Sequence, residues 1–377
     1  MAAEIHHLIP EAALSNSFHG SYKDVISRVR FFESSESEYF RHEVSPDDPG
    51  VVSRLSVTTR SPAILVEYSH FPKVVRECRR RWPEARIIVR SHNLEPLQHF
   101  DNYGWWPSQG PLWVAYGMVR LLRNDLIVKK YASAIWSISD WENRVYWNRL
   151  PGKAKVEWLP YFCPDHLLPD CVAPADERVN IVCMPTSQKN RKSWDLVTRF
   201  IRFAEQMKAV SGCSYNFLVT GRVNNWGLPK SDAVRFTGMI DDLRPFMQTV
   251  RAVALLSDKG YGFKTTISDA TASGAAVLAH PKLAARCPNE LAEAIIPVDV
   301  DDGDDVRAVR DRLVDFSPLV HIDHYLRAEA VRQLKALTSN HCASSSGESP
   351  VGVEETSAIG TTTDPFAGQD GPRLQSS

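Results

Sequence analysis

The feature that most constrains the fold is an alternation of short β-rich runs with amphipathic stretches, which continues through most of the chain. In the first half, the β-rich runs are Glu4–Ile9, Ala63–Tyr68, Arg86–Arg90, Ala134–Ser139 and Val156–Leu159. The stretches with helical spacing of apolar residues are Lys23–Glu33, Lys73–Arg81, Leu112–Tyr131 and Asp140–Arg149. Strands that alternate with helices in this way are typical of parallel sheets covered by helices. The first half therefore predicts one α/β unit.

A proline-containing segment, Tyr161–Pro174, interrupts the alternation and is predicted to be an interdomain linker. After it the β-rich runs are Val179–Met184, Asn216–Thr220, Ala233–Phe236, Ala252–Leu256 and Ala275–Ala279. The helical stretches are Trp194–Val210, Leu243–Thr249, Ile267–Ser273, Asn289–Ala294, Val306–Val314 and Pro318–Leu337. The second half therefore predicts a second α/β unit that faces the first across a cleft.

The domain boundaries predicted from these patterns divide the chain into four parts. The N-terminal domain covers 1–162, the second domain 175–317, and a helical segment that packs on the first domain 318–338. The remainder, 339–377, is rich in Ser, Thr, Gly and Pro without any apolar period, so we expect a disordered tail. Ligands of open parallel sheets bind beyond the carboxyl ends of the strands, which places the expected site in the interdomain cleft.

Charge and cysteine content exclude several classes of protein. Lys and Arg number 44 against 45 Asp and Glu, so no overall positive charge favours nucleic acid. The seven cysteines show no CxxC spacing and no His cluster beside them, which predicts reduced thiols and no zinc site. The first residues lack the pattern of a secretory signal, and no run approaches the roughly 18 apolar residues of a membrane span. We therefore expect a cytoplasmic protein.

The segment Leu255–Ala270 carries the residue types that suit a nucleotide diphosphate. A buried strand leads into a loop with two glycines, which let the backbone approach a ligand closely, and then into a helix. The helix start offers free N–H groups and a positive dipole end, and Lys264 adds a cation. Asp269 lies one turn into the helix, where its carboxylate can accept hydrogen bonds from ribose hydroxyls. A Gly-x-Gly turn by itself is more often structural, so neighbouring elements decide its meaning.

In its longer form, Gly260–Leu278 resembles the donor-binding signature of family-4-like glycosyltransferases with the GT-B fold. Asp269 stands where those enzymes usually have the glutamate that holds the ribose, and Thr266 where a second lysine is often found. Further segments resemble other elements of the family in the same order; they are Val89–Glu95, Tyr131–Asp140, Val219–Arg222 and Val234–Leu243. The resemblance spans residues 85–280 or so and implies an α/β fold of two facing Rossmann-like domains.

The family resemblance implies a hexosyltransferase that uses a UDP- or GDP-type sugar as donor and binds no cofactor. The acceptor would be a saccharide or a lipid-linked compound, as in polysaccharide or glycoconjugate biosynthesis, and transfer would retain the anomeric configuration without a metal ion. Two alternatives stay open. One is a nucleotide-sugar epimerase or hydrolase of the same fold; the other is a catalytically degenerate nucleotide-sugar-binding protein.

The resemblance also assigns candidate site residues. The expected catalytic residues are Lys192, Lys264 and His92, and the expected donor-binding residues are Gly221, Arg222, Gly262, Phe263, Thr265, Thr266 and Asp269. The expected acceptor-side residues are His19, Arg90 and Asn93, and no metal ligand is expected. His92 and Arg90 have a structural alternative, in which they only stabilise their own turn. The family arginine position is occupied by Ser187, and Lys189, Arg191 or Arg222 is expected to supply the missing charge.

Two surface features leave the question of membrane contact open. The aromatic run Tyr103–Pro107, with Trp113 and Tyr116, fits a sugar-stacking surface, a membrane interface or ordinary core packing. Arg79–Arg81 fits the exposed end of a helix or a contact with anionic lipid. The expected partners are thus a nucleotide sugar and an acceptor, not nucleic acid, with peripheral contact at the inner face of a membrane as a further expectation.

Overall fold

The computed structural model of the chain describes residues 3–14, 20–45, 50–104, 110–165, 168, 172–174, 177–185, 189–210, 212–223, 225–301, 306–319 and 321–339. The strands are β1 (Glu4–Pro10), β2 (Glu38–Val44), β3 (Ala63–Glu67), β4 (Arg86–Ser91), β5 (Ala134–Ser137), β6 (Lys155–Trp158), β7 (Asn180–Cys183), β8 (Asn216–Thr220), β9 (Arg235–Gly238), β10 (Val250–Leu255), β11 (Ala276–Ala279) and β12 (Ile295–Pro297).

The helices lie between these strands in the order that a parallel fold requires. They are α1 (Glu11–Leu14), α2 (Gly20–Glu33), α3 (Val51–Arg54), α4 (Pro72–Arg81), α5 (Glu95–Tyr103), α6 (Pro111–Tyr131), α7 (Asp140–Val145), α8 (Arg191–Ala209), α9 (Leu243–Gln248), α10 (Thr265–Ala272), α11 (Pro281–Ala284), α12 (Val306–Asp315) and α13 (His321–Thr338). Two 3₁₀ turns follow α7 and α11, at Trp147–Arg149 and Asn289–Ala294.

The strands form two six-stranded sheets in which each paired strand runs parallel to its neighbour. The first sheet has the order β2-β1-β3-β4-β5-β6, and the second has the order β12-β11-β10-β7-β8-β9. The direction of winding reverses between β1 and β3 in the first sheet and between β7 and β10 in the second. Such switch points leave a crevice at the carboxyl ends of the strands. The predicted α/β class with two facing units is confirmed.

Central strands form here because aliphatic residues occupy both faces of most of them, as in β3 and β10. Every residue of β1 and β10 is buried, as expected for strands covered by helices on both sides. Two strands were not predicted from the sequence, each for a different reason. The edge strand β2 reads Glu-Tyr-Phe-Arg-His-Glu-Val and is largely exposed, and β12 is only three residues long.

Most predicted elements lie within a few residues of the observed ones, with two instructive differences. The single helix expected over Asp140–Arg149 ends at Val145, and a 3₁₀ turn follows it. The helix α5 was not predicted, because Glu95–Tyr103 contains few apolar residues in helical spacing. It begins with a proline in its first turn, where the missing N–H group costs no helical hydrogen bond.

The last described helix, α13, returns to the first sheet as predicted. The Gln333 side chain donates to the carbonyl of Trp158 at the end of β6, and the Arg86 guanidinium at the start of β4 donates to Ala336 O at 3.3 Å. The apolar face of α13, at Leu326, Ala330 and Leu334, is buried in a core shared with both sheets. This helix therefore ties the C-terminal part of the chain to the N-terminal sheet.

The two sheets fall within the ranges expected for two domains, 1–162 and 175–317, and α13 lies in the range 318–338. The boundaries themselves stay a prediction. The expected tail, 339–377, lies almost wholly outside the described residues. Within the described part of the chain the cysteines are free thiols, and none of the helices there is both long and apolar enough to cross a bilayer.

Replacement of Gly274 tests the packing around the end of α10. Gly274 has φ +72°, and a Cβ there would lie 2.7 Å from Val172 Cγ1 and 3.0 Å from Pro318 Cβ. Gly212 has a similar φ of +80° but no atom within 4 Å of such a Cβ. We expect Gly212→Ala to lower the free energy of unfolding by about 1 kcal/mol from backbone strain alone. Gly274→Ala should cost a further 1–3 kcal/mol or so from overpacking.

Urea denaturation of both variants measures this difference. Equal losses in the two variants would show that the contacts of Gly274 with Val172 and Pro318 are not tight in solution.

Candidate functional site

The switch point of the second sheet brings together two loops, one after β7 and one after β10. The first loop leads into α8, whose N-cap residue Asn190 accepts a hydrogen bond from Ser193 N at 2.9 Å. This cap holds Lys192 in the first turn of the helix. The second loop contains Gly260 and Gly262 and leads into α10. Residues expected to bind the donor therefore converge from separate parts of the chain.

Lys192 and Lys264 meet at the α-carbon of Gly260. A Cβ built on Gly260 would lie 2.6 Å from Lys192 Cδ and 3.2 Å from Lys264 Nζ. Gly260 also has φ +90°, a left-handed conformation that disfavours any other residue. The glycine therefore allows both lysine side chains to approach the loop backbone closely, and two of the predicted catalytic residues lie side by side.

The electrostatics of this pair favour an anion. Burial, followed by the positive charges of Lys192 and Arg286, holds the pKa of Lys264 well below its usual range. Burial likewise lowers the pKa of Lys192, against the attraction of Asp101 and Glu95. The Lys264 ammonium donates to the carbonyl of Tyr261 at 2.8 Å, and among the described residues neither lysine forms an ion pair with a carboxylate. A bound anion would favour the charged form of both lysines and raise their pKa values.

A third cation, Arg286, reaches the same loop and was not predicted. Its Nη1 donates to Gly260 O at 2.7 Å, and its guanidinium lies over the rings of Trp141, at 5.1 Å, and Tyr261, at 4.8 Å. These two aromatic rings fix the guanidinium in place. Arg286 follows α11 in the sequence and belongs to no motif, so only the tertiary structure reveals it.

The N-terminal part of the chain holds the glycine loop through α5. Asp101 Oδ2 accepts a hydrogen bond from Gly260 N at 2.5 Å, and Gln98 Oε1 accepts one from Tyr261 N at 3.1 Å. The Asp101 carboxylate thus accepts a hydrogen bond from a backbone N–H group of the kind that binds phosphate oxygens. Asp101 therefore stands in the place where we expect part of the diphosphate.

Gly262 contacts the turn after β4. It has φ +84°, and a Cβ there would lie 2.6 Å from Asn93 Oδ1 and 3.0 Å from His92 O. The predicted donor loop and the predicted acceptor-side residue Asn93 are therefore in contact. Glycine is required at this position both by its backbone conformation and by the closeness of the turn.

The helix after the loop begins at Thr265, two residues earlier than predicted. Lys264 is its N-cap residue and makes no side-chain cap bond, so Thr265 and Thr266 lie in the first turn. Their N–H groups lack partners within the helix and point toward the loop. Phe263 is half-buried and packs against the core, which anchors the loop between the glycines and the helix.

Asp269 is engaged by two side chains from outside the second sheet. Its Oδ2 accepts from Lys23 Nζ at 2.6 Å, and its Oδ1 accepts from the Tyr161 hydroxyl at 2.7 Å. Burial disfavours the charged form of Lys23, but the Asp269 carboxylate outweighs burial and raises the pKa of Lys23. The ribose contact predicted for Asp269 stays a prediction, and a ribose would compete with Lys23 and Tyr161 for this carboxylate.

His92 lies in a buried network rather than on an open surface. Its Nδ1 is 3.3 Å from Asp24 Oδ2, and its Nε2 is 3.2 Å from Glu67 Oε2. Its ring stacks on Tyr68 with 4.0 Å between centroids, and Tyr68 has an unusual φ of 72°. Both ring nitrogens are therefore occupied in this structure, and a catalytic contact through His92 stays a prediction.

Arg90 belongs to the same network and is fully buried. Its guanidinium donates to both oxygens of Asp24, at 3.0 and 2.9 Å, while Arg28 donates to both oxygens of Glu67, at 2.9 and 2.7 Å. Arg28, His7 and His92 hold the pKa of Glu67 well below its usual range in spite of burial. The partner of Arg90, Asp24, comes from α2 and not from its own turn, and the acceptor-side role expected for Arg90 stays a prediction.

The carboxylates of this network also have the spacing of a metal site. Asp24, Glu67 and His92 offer ligand atoms within 4.8 Å of one another. The same carboxylate oxygens already accept hydrogen bonds from Arg28 and Arg90, whose two positive charges balance the two carboxylates. A metal ion would add excess positive charge to a buried, charge-balanced cluster, so we assign the cluster a structural role.

Of the remaining predicted residues, Gly221 and Arg222 follow β8, and two further positions lie outside the described chain. Gly221 donates its N–H to Gly238 O at 2.7 Å, and the Arg222 side chain after it is exposed. His19 and Ser187 lie outside the described residues, so the expected acceptor contact and the arginine position have no structural account. Arg286 now joins Lys189, Arg191 and Arg222 as a residue able to supply the missing charge.

Glu142 supports the turn that faces the donor loop. Its Oε1 accepts a hydrogen bond from Leu94 N at 2.8 Å, while its Oε2 is buried without a hydrogen-bond partner in the described structure. Burial raises the pKa of Glu142 to about 8. The native protein therefore holds a neutral carboxyl group beside this turn at neutral pH.

Comparison with known proteins relates this architecture to solved structures only. No protein-family model matches the chain, and the search of curated proteins finds no significant match. The chain superposes on HepE from Anabaena in complex with UDP and glucose, with a TM-score of 0.58 and 12% identity over 89% of this chain and 99% of that one. Sucrose-phosphate synthase from Thermosynechococcus elongatus gives 0.57 and 14% over 89% and 95%, and a glycosyltransferase from Rickettsia africae gives 0.54 and 11% over 90% and 99%.

At these identities the likeness establishes the fold. The match covers nearly the whole of each solved chain, including both sheets. The protein thus has the two-sheet GT-B fold that the sequence resemblance implied, while the family-4 grouping stays a prediction.

Replacement of Glu142 with glutamine tests the buried neutral carboxyl. Unfolded glutamate ionises near pH 4.3, so between that pH and about 8 the unfolded chain loses a proton that the native protein keeps, and stability falls as pH rises. Glu142→Gln removes this penalty. Relative to wild type, its free energy of unfolding should be similar at pH 4.5 and higher by on the order of 5 kcal/mol at pH 9.

Guanidinium chloride titrations at several pH values measure this difference, with the exposed Glu293→Gln as control. A difference between Glu142→Gln and wild type that does not change with pH would show that Glu142 is ionised in the native protein.

Proposed function

We propose that the chain is a glycosyltransferase that moves a hexose from a nucleotide diphosphate sugar to an acceptor hydroxyl. The observation that carries the proposal is the convergence of Lys192, Lys264 and Arg286 on the glycine loop at the switch point of the second sheet. The start of α10 adds free N–H groups beside them. This combination suits a diphosphate better than a neutral ligand.

The proposed chemistry uses these cations to stabilise the leaving group. The acceptor oxygen forms a bond to the anomeric carbon while the bond from that carbon to the diphosphate oxygen breaks. The departing diphosphate gains negative charge and takes up the proton released by the acceptor hydroxyl. Cations and N–H groups held in place before the reaction stabilise this charge, and loss of one such group typically costs roughly a hundred- to a thousandfold in rate. We propose retention of configuration and no requirement for a metal ion.

The donor is proposed to be a UDP-sugar. HepE, which shares the fold, was solved with UDP and glucose. In this chain, Lys192 and Lys264 would bind the diphosphate, and the Thr265 hydroxyl would donate a hydrogen bond to it. Asp269 would accept from the ribose hydroxyls after parting from Lys23, and Asp101 would give up its hydrogen bond from Gly260 N. Donor binding would thus replace contacts between the two halves of the chain.

The acceptor is proposed to enter from the side of the first sheet, where Asn93 faces Gly262. On this basis we propose 1–162 as the acceptor-side domain and 175–317 as the donor domain. A cytoplasmic location with contact at the inner face of a membrane remains an expectation.

One observation favours a second candidate function. Asp269 already accepts hydrogen bonds from Lys23 and Tyr161, so the carboxylate that is expected to bind the ribose is engaged in this structure. A catalytically inactive protein that binds nucleotide sugars weakly would fit that arrangement. Formation of a glycosylated product from any donor that binds separates the two functions.

A thermal-shift panel with UDP- and GDP-sugars tests the donor site. A ligand at about 100 times its Kd stabilises a protein by roughly 2.7 kcal/mol, which is a measurable rise in Tm. We expect at least one donor to raise the Tm of the wild type and to do so much less in Lys264→Ala. Lys208→Ala is the matched control, because Lys208 lies at the far end of α8, about 24 Å from Lys192.

Two results would contradict the assignment. One is the absence of a shift with every donor in the panel. The other is an equal shift in the wild type and in Lys264→Ala, which would place the donor elsewhere.

A further inference from the structure

The outward face of α6 is apolar over its N-terminal half. Its exposed apolar side chains, with their exposed fractions, are Leu112 (84%), Tyr116 (68%), Val119 (66%), Trp113 (48%) and Leu122 (38%). Leu112, Tyr116 and Val119 follow one another at spacings of four and three residues, so they form one stripe along the helix. A continuous apolar stripe of this kind on a protein surface marks a site of contact with another protein or with a membrane.

The opposite face of α6 is already used. The helix packs against α4 and α5 and buries four residues there, which are Val114, Gly117, Leu121 and Val128. At Gly117 a Cβ would lie 2.2 Å from His99 Nε2, so the His99 side chain of α5 packs directly against the backbone of α6. A helix that is apolar on both faces and packed on only one requires a second apolar environment for the other.

The charges beside the stripe specify that environment. The exposed charged residues of α6 are Arg120, Arg123 and Lys130, and the helix exposes no acidic side chain along its length. Arg123 continues the line of Leu112, Tyr116 and Val119 by one further step of four residues. Apolar and aromatic side chains flanked by basic residues match the boundary between acyl chains and anionic headgroups.

We infer that the outward face of α6 docks on an anionic lipid bilayer. Leu112 and Val119 would enter the acyl region, the rings of Trp113 and Tyr116 would lie at the headgroup level, and Arg120 and Arg123 would pair with lipid phosphates. A second copy of the chain fits this face less well. A symmetric contact would bury Arg120 and Arg123 of both copies in an interface to which α6 brings no exposed acidic side chain, and unpaired buried cations oppose such an interface.

The docked face lies close to the candidate donor site. The helix α5 packs on α6 and also holds the glycine loop through Asp101 and Gln98. A single helix therefore separates the proposed membrane surface from the loop. The docking stands on the surface of α6 alone, whereas its consequence, a lipid-linked acceptor, rests on the proposed function.

Co-sedimentation of the full chain with lipid vesicles tests the inference. We expect binding to vesicles of phosphatidylcholine with phosphatidylglycerol and much weaker binding to phosphatidylcholine alone. Each basic residue near an anionic surface contributes about 1 kcal/mol, so the double variant Arg120→Gln, Arg123→Gln should lower the partition coefficient by about thirtyfold. The triple variant Leu112→Gln, Tyr116→Gln, Val119→Gln should also lower the partition coefficient, because it removes both aliphatic and aromatic side chains from the contact.

The matched control replaces exposed apolar residues of other helices. Val314 is 64% exposed and Tyr325 is 43% exposed, so Val314→Gln, Tyr325→Gln should bind vesicles as the wild type does. The Tm shift caused by a UDP-sugar, measured on every variant, shows that each is folded and keeps the failure of the donor site separate from the failure of docking.

Three results would overturn the inference. They are no binding of the wild type to anionic vesicles, equal losses in the control and the triple variant, and a dimer in sedimentation velocity that the triple variant converts to monomer without any change in vesicle binding. The last result would assign the face to a second copy.

Discussion

The site depends on one electrostatic constraint, the closeness of two desolvated lysines at a glycine. Lys192 and Lys264 reach the α-carbon of Gly260 from different helices, and Arg286 joins them from the other side of the loop. Three positive charges in a partly water-excluded place repel one another, and an anion removes that cost. The parallel sheet makes the arrangement possible, because its switch point delivers two loops and two helix starts to the same crevice.

The opposite wall of the cleft is built on paired charges. Asp24 and Glu67 are neutralised by Arg28 and Arg90, and His92 lies between the two carboxylates. Buried charges that are paired and hydrogen-bonded hold one geometry, since loss of any member leaves its partner uncompensated. The first sheet thus presents a rigid turn, His92–Leu94, to the glycine loop. Charge balance on one side and unbalanced positive charge on the other distinguish the supporting wall from the proposed donor site.

Local patterns allowed the fold to be predicted but not the contacts across the cleft. Strands such as β3 and β10 are rich in aliphatic residues and could be recognised, whereas the polar edge strand β2 could not. Lys192 was found through the family resemblance, and Lys264 through the residue types of the glycine loop and that resemblance. Arg286, Asp101 and the Lys23 partner of Asp269 were missed, because each meets the site through tertiary contacts that no sequence period encodes. For His92 the sequence left two roles open, and the carboxylates that occupy its nitrogens come from α2 and β3.

The most direct test of the central claim compares the affinities of UDP and uridine by calorimetry. If Lys192, Lys264 and Arg286 bind the diphosphate, UDP should bind at least about tenfold more tightly than uridine, because charge-assisted hydrogen bonds contribute roughly 1.5–3 kcal/mol each. In Lys192→Ala this ratio should fall markedly while uridine affinity stays the same, and Lys208→Ala should keep the wild-type ratio. Equal affinities for UDP and uridine in the wild type, or an unchanged ratio in Lys192→Ala, would contradict the account.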